Sequence, residues 1–222
     1  MTGASSAERL DELRGRIGRA ARLAGRDPAE VALVAVSKTH EAGAIRPLIE
    51  AGQRDFGENR VQEAQSKWPE LKAETPDVRL HLIGTLQSNK AEEAVGLFDV
   101  VNSVDRPSLV DALAKAMAKT GRRPDCFLQV NIGDEPQKGG CAISELPDLL
   151  SRSLEAGLPV VGLMAIPPAA VEPAPYFALL AKLARRHGLA GLSIGMSADF
   201  ETAVTIGATH VRVGTALFGE RR

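Results

Sequence analysis

The chain has 222 residues and a formal net charge of -1 at pH 7, with 44% hydrophobic and 25% charged residues. This composition is typical of a globular α/β domain, and the near-zero charge provides no general attraction to nucleic acid or to an anionic membrane. No apolar segment is long enough to cross a bilayer and the polar N-terminus MTGASSAERLDEL does not resemble a signal peptide, so we expect a cytoplasmic protein.

The first predicted element is a helix over residues 6–25, with Ser5 or Ser6 as its cap and Gly25 as its stop. After this helix, short apolar segments alternate regularly with amphipathic ones. The amphipathic segments predict helices, for instance over residues 41–52, 61–71, 107–121 and 144–157. The apolar segments predict eight strands, at residues 31–38, 54–59, 79–84, 99–104, 126–133, 160–166, 192–196 and 210–214.

Eight strands connected by helices predict an α/β fold of the (β/α)8 TIM-barrel type, with an extra N-terminal helix. No composition shift or flexible linker divides the chain, so we expect a single domain over residues 1–222. A doubly wound open sheet is the alternative, but it would normally show fewer strands and a glycine-rich loop after the first one. No GxGxxG or Walker sequence follows Lys38, which favours the barrel.

The two cysteines, Cys126 and Cys141, are too few and too irregularly spaced for a disulfide framework or a zinc site. Cys126 opens an apolar strand and is predicted to be a core residue. Cys141 follows two glycines and is predicted to be a loop thiol. We expect no metal site.

The stretch VALVAVSKTH, residues 31–40, ends a buried strand with Lys38. A lysine near a dry core loses hydration, so its presence requires a reason. One interpretation is a side chain whose stem lines the sheet edge while its ammonium group reaches water. The other is an amine with a depressed pKa that condenses with an aldehyde.

Active sites of barrels form at the carboxyl ends of the strands, and polar residues collect there in this chain. Strand alternation predicts that Arg212 points into the barrel with His210 and Gly214, while Val211 and Val213 face the helices. The complete set of polar or glycine residues at strand ends is Lys38, Asn59, Gly84, Asn131, Ser197, Arg212, Gly214 and Thr215.

The loops after the seventh and eighth strands contain Ser197 and the pair Gly214-Thr215. These loops are the recurrent phosphate site of TIM barrels, and hydroxyl groups, backbone N–H groups and helix N-termini suit a dianion. Alternatively, Ser197 caps the following helix and Gly214 is a turn residue. Taken with Lys38 and Arg212, the two loops favour a phosphorylated aldehyde bound as a Schiff base.

Several stretches of the chain resemble the pyridoxal phosphate homeostasis protein family, which is related to the N-terminal domain of alanine racemase. They follow in order over nearly the whole chain: AVSKTH, DFGENRVQEA, HLIGTLQSNK, NSVDRPSLVDAL, GLMAIPP and LSIGMSADFETAVTIGATHVRVGTALFG. The resemblance implies a barrel that binds pyridoxal 5′-phosphate (PLP), a form of vitamin B6.

The resemblance also implies roles for individual residues. Lys38 would form the internal aldimine, and Asn59 would lie near the ring. Ser197, with Gly214 and Thr215, would hold the phosphate, and Arg212 would face the pyridine nitrogen. Lys138 matches a family lysine implicated in PLP handling, although we favour an exposed loop lysine.

An arginine beside the pyridine nitrogen keeps that nitrogen unprotonated, which makes the ring a poor electron sink. Racemisation also needs a second proton donor, which a tyrosine of a second domain supplies in alanine racemase. This chain ends at Arg222, soon after the last strand, and its single tyrosine, Tyr176, precedes the seventh strand. We therefore expect no catalytic residues, and a PLP carrier that buffers the cofactor or delivers it to PLP-dependent apoenzymes, as a monomer.

Two enzymatic alternatives stay open. One is a low-activity amino-acid racemase that uses Lys38 and either a water molecule or a nearby histidine as its two bases. The other is a Schiff-base aldolase acting on a phosphorylated sugar. His40 and His81 are the candidate acid/base groups in either enzyme, although His81 is better explained as a hydrogen-bonded residue at a strand mouth and His40 as the start of a helix.

Overall fold

The computed structural model describes residues 5–218, which form a closed barrel of eight parallel strands. Each strand pairs with the next one in the chain, and β8 pairs with β1 to close the ring. The predicted barrel is therefore confirmed. Its strands are β1 Ala32–Val36, β2 Asp55–Glu58, β3 Arg79–Leu82, β4 Val100–Val104, β5 Asp125–Gln129, β6 Val160–Met164, β7 Gly191–Ser193 and β8 His210–Val213.

Helices surround the barrel and connect its strands, as expected where both faces of a parallel sheet are covered. Short 3-10 turns lie at residues 28–30, 88–90 and 143–145. The helices are α1 Ser6–Leu23, α2 Ala42–Glu50, α3 Val61–Glu74, α4 Ala91–Leu97, α5 Pro107–Thr120, α6 Leu146–Glu155, α7 Ala174–Arg186, α8 Phe200–Ile206 and α9 Thr215–Phe218.

The extra helix α1 begins and ends as the sequence predicts. Ser5 is its N-cap: the Ser5 hydroxyl accepts the Glu8 N–H at 3.2 Å, and the Glu8 carboxylate accepts the Ser5 N–H at 2.6 Å. This capping box satisfies two N–H groups that the first turn would otherwise leave unpaired. Gly25 follows the helix with a φ of 68°, a conformation that glycine adopts at little cost.

Helix α1 packs on the outside of the barrel and contacts α8 and α9, the helices that follow the last two strands. Arg16 forms a salt bridge of 2.8 Å with Glu201 and stacks over the Phe200 ring at 4.6 Å. Arg9 donates a hydrogen bond of 2.6 Å to the Leu217 carbonyl oxygen. The helix thus holds both α8 and α9, which follow the loops that the sequence assigns to phosphate binding.

The strands separate two packed regions. Side chains that face the helices form the large core, in which Trp68, Phe56, Phe98 and Phe177 are fully buried. The barrel interior holds a smaller apolar cluster of Val100, Phe127 and Met164, beside the rings of His81 and His210. The interior therefore contains polar side chains as well as the apolar layers expected of a barrel.

Both cysteines are buried. Cys126 lies in the core, as predicted. Cys141 lies in the loop after β5, also as predicted, and its backbone forms an isolated bridge with Val130. Burial raises the pKa of each thiol to about 12, which keeps both protonated at neutral pH.

Among residues 5–218, no helix is long and apolar enough to span a membrane. Within the same range, no group of three or more His, Cys, Asp or Glu side chains is arranged to hold a metal ion.

Close approach of β6 and β7 leads to a stability prediction. A Cβ atom on Gly162 would lie 2.2 Å from the Gly191 carbonyl oxygen, so Gly162→Ala forces the strands apart. We expect the free energy of unfolding to fall by about 1–3 kcal/mol, measured by urea denaturation. The control is Gly96→Ala in α4, where a Cβ atom meets nothing within 4 Å. This control should be neutral or stabilising by up to about 1 kcal/mol, and equal losses in the two variants would contradict the prediction.

Candidate functional site

A cavity of about 230 Å³ opens at the carboxyl ends of the strands. The sequence assigned six residues to cofactor binding, and all six line this cavity although they come from β8 and from the loops after β1, β2, β7 and β8. The six are Lys38, Asn59, Ser197, Arg212, Gly214 and Thr215. The remaining wall consists of Val36, His40, Ile83, Ile166 and Met196.

Lys38 is the second residue after β1 and is half-buried at the rim of the barrel. The next residue, Thr39, has a φ of 66°, in the left-handed region. A β-branched residue is rarely found there, and the conformation costs on the order of 1–3 kcal/mol. Surrounding contacts must therefore hold this bend, and one of them is the hydrogen bond from the Thr39 N–H to the Glu63 carboxylate.

Arg212 projects from β8 into the barrel and is only 5% exposed. Its guanidinium group donates to the Ser193 carbonyl oxygen at 2.6 Å, to the Ser193 hydroxyl at 2.8 Å and to the Ala165 carbonyl oxygen at 3.1 Å. Burial lowers its pKa to about 10, and Asp199 partly offsets that effect. Arg212 therefore stays cationic at neutral pH and presents a positive charge to the cavity.

The loop after β7 is built around Asp199. The Asp199 carboxylate accepts the Met196 N–H at 2.6 Å, and the Asp199 N–H donates to the Met196 carbonyl oxygen at 3.1 Å. Asp199, and not Ser197, is the residue before α8, so the alternative of Ser197 as helix cap is wrong. Ser197 instead lines the cavity.

Two glycines allow the last loops to adopt their paths. Gly195 has a φ of 90°, and a Cβ atom there would lie 2.6 Å from the Ala203 Cβ. A Cβ atom on Gly214 would lie 3.2 Å from the Val36 carbonyl oxygen, so the loop after β8 packs closely on β1. The two loops consequently meet at the same side of the cavity.

Backbone N–H groups in these two loops remain available to a ligand. Within the described chain, the N–H groups of Ser197, Ala198, Thr215 and Ala216 have no backbone or side-chain acceptor. Four N–H groups and two hydroxyls on adjoining loops form a donor set suited to an anion with several oxygens. This donor set is compatible with a phosphate ester.

Asn59 follows β2 directly and lines the cavity. The backbone of Gly84 packs against it so closely that a Cβ atom on Gly84 would lie 2.3 Å from the Asn59 carbonyl oxygen. Gly84 thus contributes close backbone contact and does not itself line the cavity.

Two residues that the sequence singled out lie elsewhere. Asn131 closes its own loop, because its side chain donates to the Glu135 carbonyl oxygen at 2.8 Å and accepts the Glu135 N–H at 3.1 Å. Lys138 is half-buried, donates to the Pro167 carbonyl oxygen at 2.8 Å and pairs with Glu135 at 2.6 Å. The interpretation of Lys138 as an exposed loop lysine is therefore wrong.

The two histidines also differ from their predicted positions. His40 does not start a helix, since α2 begins at Ala42, and its ring lines the cavity and stacks on Phe218 at 4.3 Å. His81 is hydrogen-bonded, as predicted, through a contact of 2.9 Å to Asp55. It lies within the barrel beside the first residue of β2, however, and not at the strand mouth.

Apart from Val36, which shares the strand face of Lys38, the apolar wall was not predicted, although part of it could have been. Ile83 lies two residues after the inward-facing His81, so strand alternation alone would have placed it inward. Met196 belongs to the loop after β7, and periodicity carries no information on the direction of a loop side chain. Ile166 lies two residues beyond the end of β6.

The matching family model is described as "Alanine racemase, N-terminal domain" and covers residues 9–222. The chain is 45% identical to the pyridoxal phosphate homeostasis protein of Pseudomonas aeruginosa, over 97% of this chain and 95% of that protein. It is 40% identical to the protein of the same name from Aquifex aeolicus, over 98% and 99% of the two chains. Among solved structures, PipY of Synechococcus elongatus with PLP bound superposes with a TM-score of 0.81 at 41% identity, over 96% of this chain and 100% of that chain.

Burial of His210 below Arg212 leads to a pH prediction. Desolvation lowers the pKa of His210 from 6.5 to about 4, and the neighbouring His81 acts in the same direction. Because the unfolded chain takes up a proton near pH 6.5 and the folded chain only near pH 4, acidification in this window favours unfolding. We expect this difference in proton uptake at His210 to lower the free energy of unfolding by up to about 3 kcal/mol between these two pH values.

The measurement is urea denaturation of the wild type and of His210→Gln at intervals from pH 7 to pH 4. The introduced glutamine does not titrate, so the free energy of unfolding of that variant should fall less steeply with acidification. The carboxylates whose pKa is lowered, such as Asp55, are present in both proteins and lose their contribution at lower pH. Parallel curves for the two proteins would contradict the prediction.

Proposed function

The chain belongs to the pyridoxal phosphate homeostasis protein family, which is built on the alanine racemase N-terminal domain, and from this premise we propose that it is a carrier of PLP. It binds PLP in the cavity at the barrel rim, buffers its free concentration and delivers it to PLP-dependent apoenzymes. When bound, PLP supplies an aldehyde that condenses reversibly with a primary amine, with the loss of one water molecule. Lys38 is the amine of this site.

The observation that carries the proposal is the gathering of three kinds of group around one cavity. A half-buried primary amine, a buried guanidinium group and an anion-binding donor set all line it. An aldehyde that bears a phosphate ester on an aromatic nitrogen ring presents a matching group to each of them. The chain's similarity to PipY, which was solved with PLP bound, supports the same ligand.

The phosphate is held by the loops after β7 and β8. Ser197 and Thr215 supply hydroxyls, while these two residues with Ala198 and Ala216 supply N–H groups without other acceptors in the described chain. Because α8 and α9 have only 7 and 4 residues, we assign anion binding to these individual donors and not to helix dipoles. Gly214 allows its loop to pack closely on β1, and residues of both loops line the one cavity.

Arg212 argues for a carrier and against an enzyme. A guanidinium group only donates hydrogen bonds, and this one remains protonated at neutral pH. Facing the pyridine nitrogen, it leaves that nitrogen unprotonated, whereas PLP enzymes that use the ring as an electron sink pair the nitrogen with an acid. Asn59, which lines the same cavity, lies near the ring. We therefore assign no catalytic residue to this chain and propose that it acts as a monomer.

One observation supports a second candidate function, a low-activity amino-acid racemase. His40 lines the same cavity as Lys38, so an imidazole is available as a second base. Tyr176, by contrast, packs against the core from α7. Chiral analysis of alanine or serine incubated with the PLP-loaded protein separates the two functions, since a carrier leaves the enantiomer ratio unchanged.

One prediction of the proposed function concerns Lys38. The purified protein loaded with PLP should be yellow, and borohydride should fix one cofactor per chain onto the peptide that contains Lys38. Lys38→Ala should abolish both the colour and the fixed label while circular dichroism shows an unchanged fold. Lys90→Ala is the control, because Lys90 pairs with Glu93 outside the cavity and should retain full labelling. A wild-type protein that ignores added PLP would refute the proposal.

Another prediction of the proposed function concerns Arg212. Arg212→Glu replaces the cation with a carboxylate that shares a proton with the ring nitrogen, so the visible spectrum of the bound cofactor should change. Arg212→Lys retains a positive charge and should leave the spectrum close to that of the wild type. Both spectra are recorded on protein whose fold is checked by circular dichroism. Identical spectra for Arg212→Glu and wild type would show that Arg212 does not face the ring nitrogen.

A further inference from the structure

Two carboxylates, one lysine and one tryptophan form a cluster behind the Lys38 segment, and all of them except Glu63 are buried. It consists of Glu58, Glu63, Lys67 and Trp68, which we call the Lys67 cluster. Glu58 ends β2, and the other three belong to α3. Glu58 is fully buried and the Lys67 side chain is only 5% exposed.

The ammonium group of Lys67 binds both ends of the bend that contains Lys38. Its Nζ atom lies 3.0 Å from the Ser37 carbonyl oxygen and 2.9 Å from the His40 carbonyl oxygen. It also lies 2.9 Å from the Glu58 carboxylate and 3.1 Å from the Glu63 carboxylate. One buried cation therefore serves two backbone carbonyls that require donors and two carboxylates that require a positive charge.

The two carboxylates bind the same segment at other points. Glu58 accepts the Ser37 hydroxyl at 2.6 Å and the Trp68 indole N–H at 3.0 Å through the same oxygen. Glu63 accepts the N–H of Thr39, the residue with positive φ. Residues 37, 39 and 40 are thus each attached to the cluster, and Lys38 lies between the attached residues.

From this arrangement we infer that Lys67 is the positioning residue for Lys38. By joining the carbonyl groups of Ser37 and His40, it holds Thr39 in the left-handed conformation and sets the direction in which the Lys38 side chain leaves the barrel rim. The inference rests on the proposed function, because it concerns the residue that is proposed to capture PLP. Lys67 itself does not line the cavity.

The same cluster couples two walls of the cavity. Asn59 lies between Glu58 and α3, so contacts that hold Glu58 and the first turns of α3 also hold Asn59. Ser37 additionally donates its N–H to the Gly57 carbonyl oxygen at 3.0 Å. Lys38 and Asn59 are therefore carried by one hydrogen-bonded unit formed by the end of β1, the end of β2 and α3.

The test compares two double variants. Lys67→Met/Glu58→Gln removes both charges of the fully buried pair, so no unpaired charge is left in the core. The matched control is Lys72→Met/Asp99→Asn. It removes a partly buried ion pair between Lys72, which also belongs to α3, and Asp99, whose charged atoms lie 2.5 Å apart. Lys72 contacts the loop before β4 and has no contact with residues 37–40 among the described residues. Lys67→Arg retains the charge and the donors.

Two quantities are measured beside urea stability. In protein without PLP, hydrogen exchange of the peptide containing residues 37–40 should accelerate in Lys67→Met/Glu58→Gln and not in the control. After addition of PLP, the rate of covalent capture at Lys38, followed by absorbance, should fall by about tenfold or more, since small misplacements of a reacting group have effects of this order. Lys67→Arg should restore part of the rate, and the control should stay within about twofold.

Equal capture rates in the two double variants, with wild-type capture intact, overturn the inference and leave the proposed function standing. Wild-type protein that captures no PLP overturns the proposed function. In that case the exchange measurement still decides whether Lys67 holds the segment, since unchanged exchange at residues 37–40 overturns the positioning role by itself.

Discussion

The last strand of the barrel, β8, pairs with the first, β1, and places Arg212 directly opposite Val34 and Val213 opposite Ala35. This register brings the loop that carries Lys38 beside the loop that carries Gly214 and Thr215, although the two loops lie near opposite ends of the chain. In a parallel sheet all strands end at the same rim, so closing the ring collects every strand end around one opening. The amine, the guanidinium group and the anion donors meet only because this pairing exists.

Two buried cations flank the cavity, and their partners differ. Lys67 is neutralised by two carboxylates, so its charge is compensated within the cluster and it acts on the backbone of residues 37–40. Arg212 is bound by carbonyl and hydroxyl oxygens of Ser193 and Ala165, and no carboxylate lies within salt-bridge distance of it in the described chain. Its charge is therefore available to a ligand in the cavity. Of these two cations, Lys67 has carboxylate partners and lies outside the cavity, whereas Arg212 lines it.

The site also holds two residues in energetically unfavourable states. Thr39, which is β-branched, has a positive φ angle, and Arg212 is buried with a lowered pKa. Each of these costs stability that the large core outside the barrel must offset. The core provides this support with fully buried aromatic residues such as Trp68, whose indole also donates to the Lys67 cluster. The rim can therefore hold its reactive groups in fixed positions because the surrounding layers are tightly packed.

Much of the molecule was readable from its sequence. Apolar segments of strand length, separated by amphipathic ones, predicted the eight strands and the barrel, because burial on both faces leaves a strong local pattern. The rim residues followed from the same pattern, since the end of a strand is visible in the chain. Ser5 and Gly25 were equally readable as helix boundaries, because capping depends on residues a few positions apart.

Contacts between distant segments decided the remainder. Cys141 lies in a loop, as its two preceding glycines indicate, but its burial and its bridge to Val130 were not readable from the sequence. Ser197 could cap a helix by its sequence, but Asp199 takes that place. Lys67 lies in an ordinary polar helical pattern, and only the packing of α3 against the end of β1 makes it a buried partner of Ser37 and His40. Local pattern therefore determined which elements form and where they end, whereas the contacts of each polar side chain depended on which backbone groups the closed barrel brought beside it.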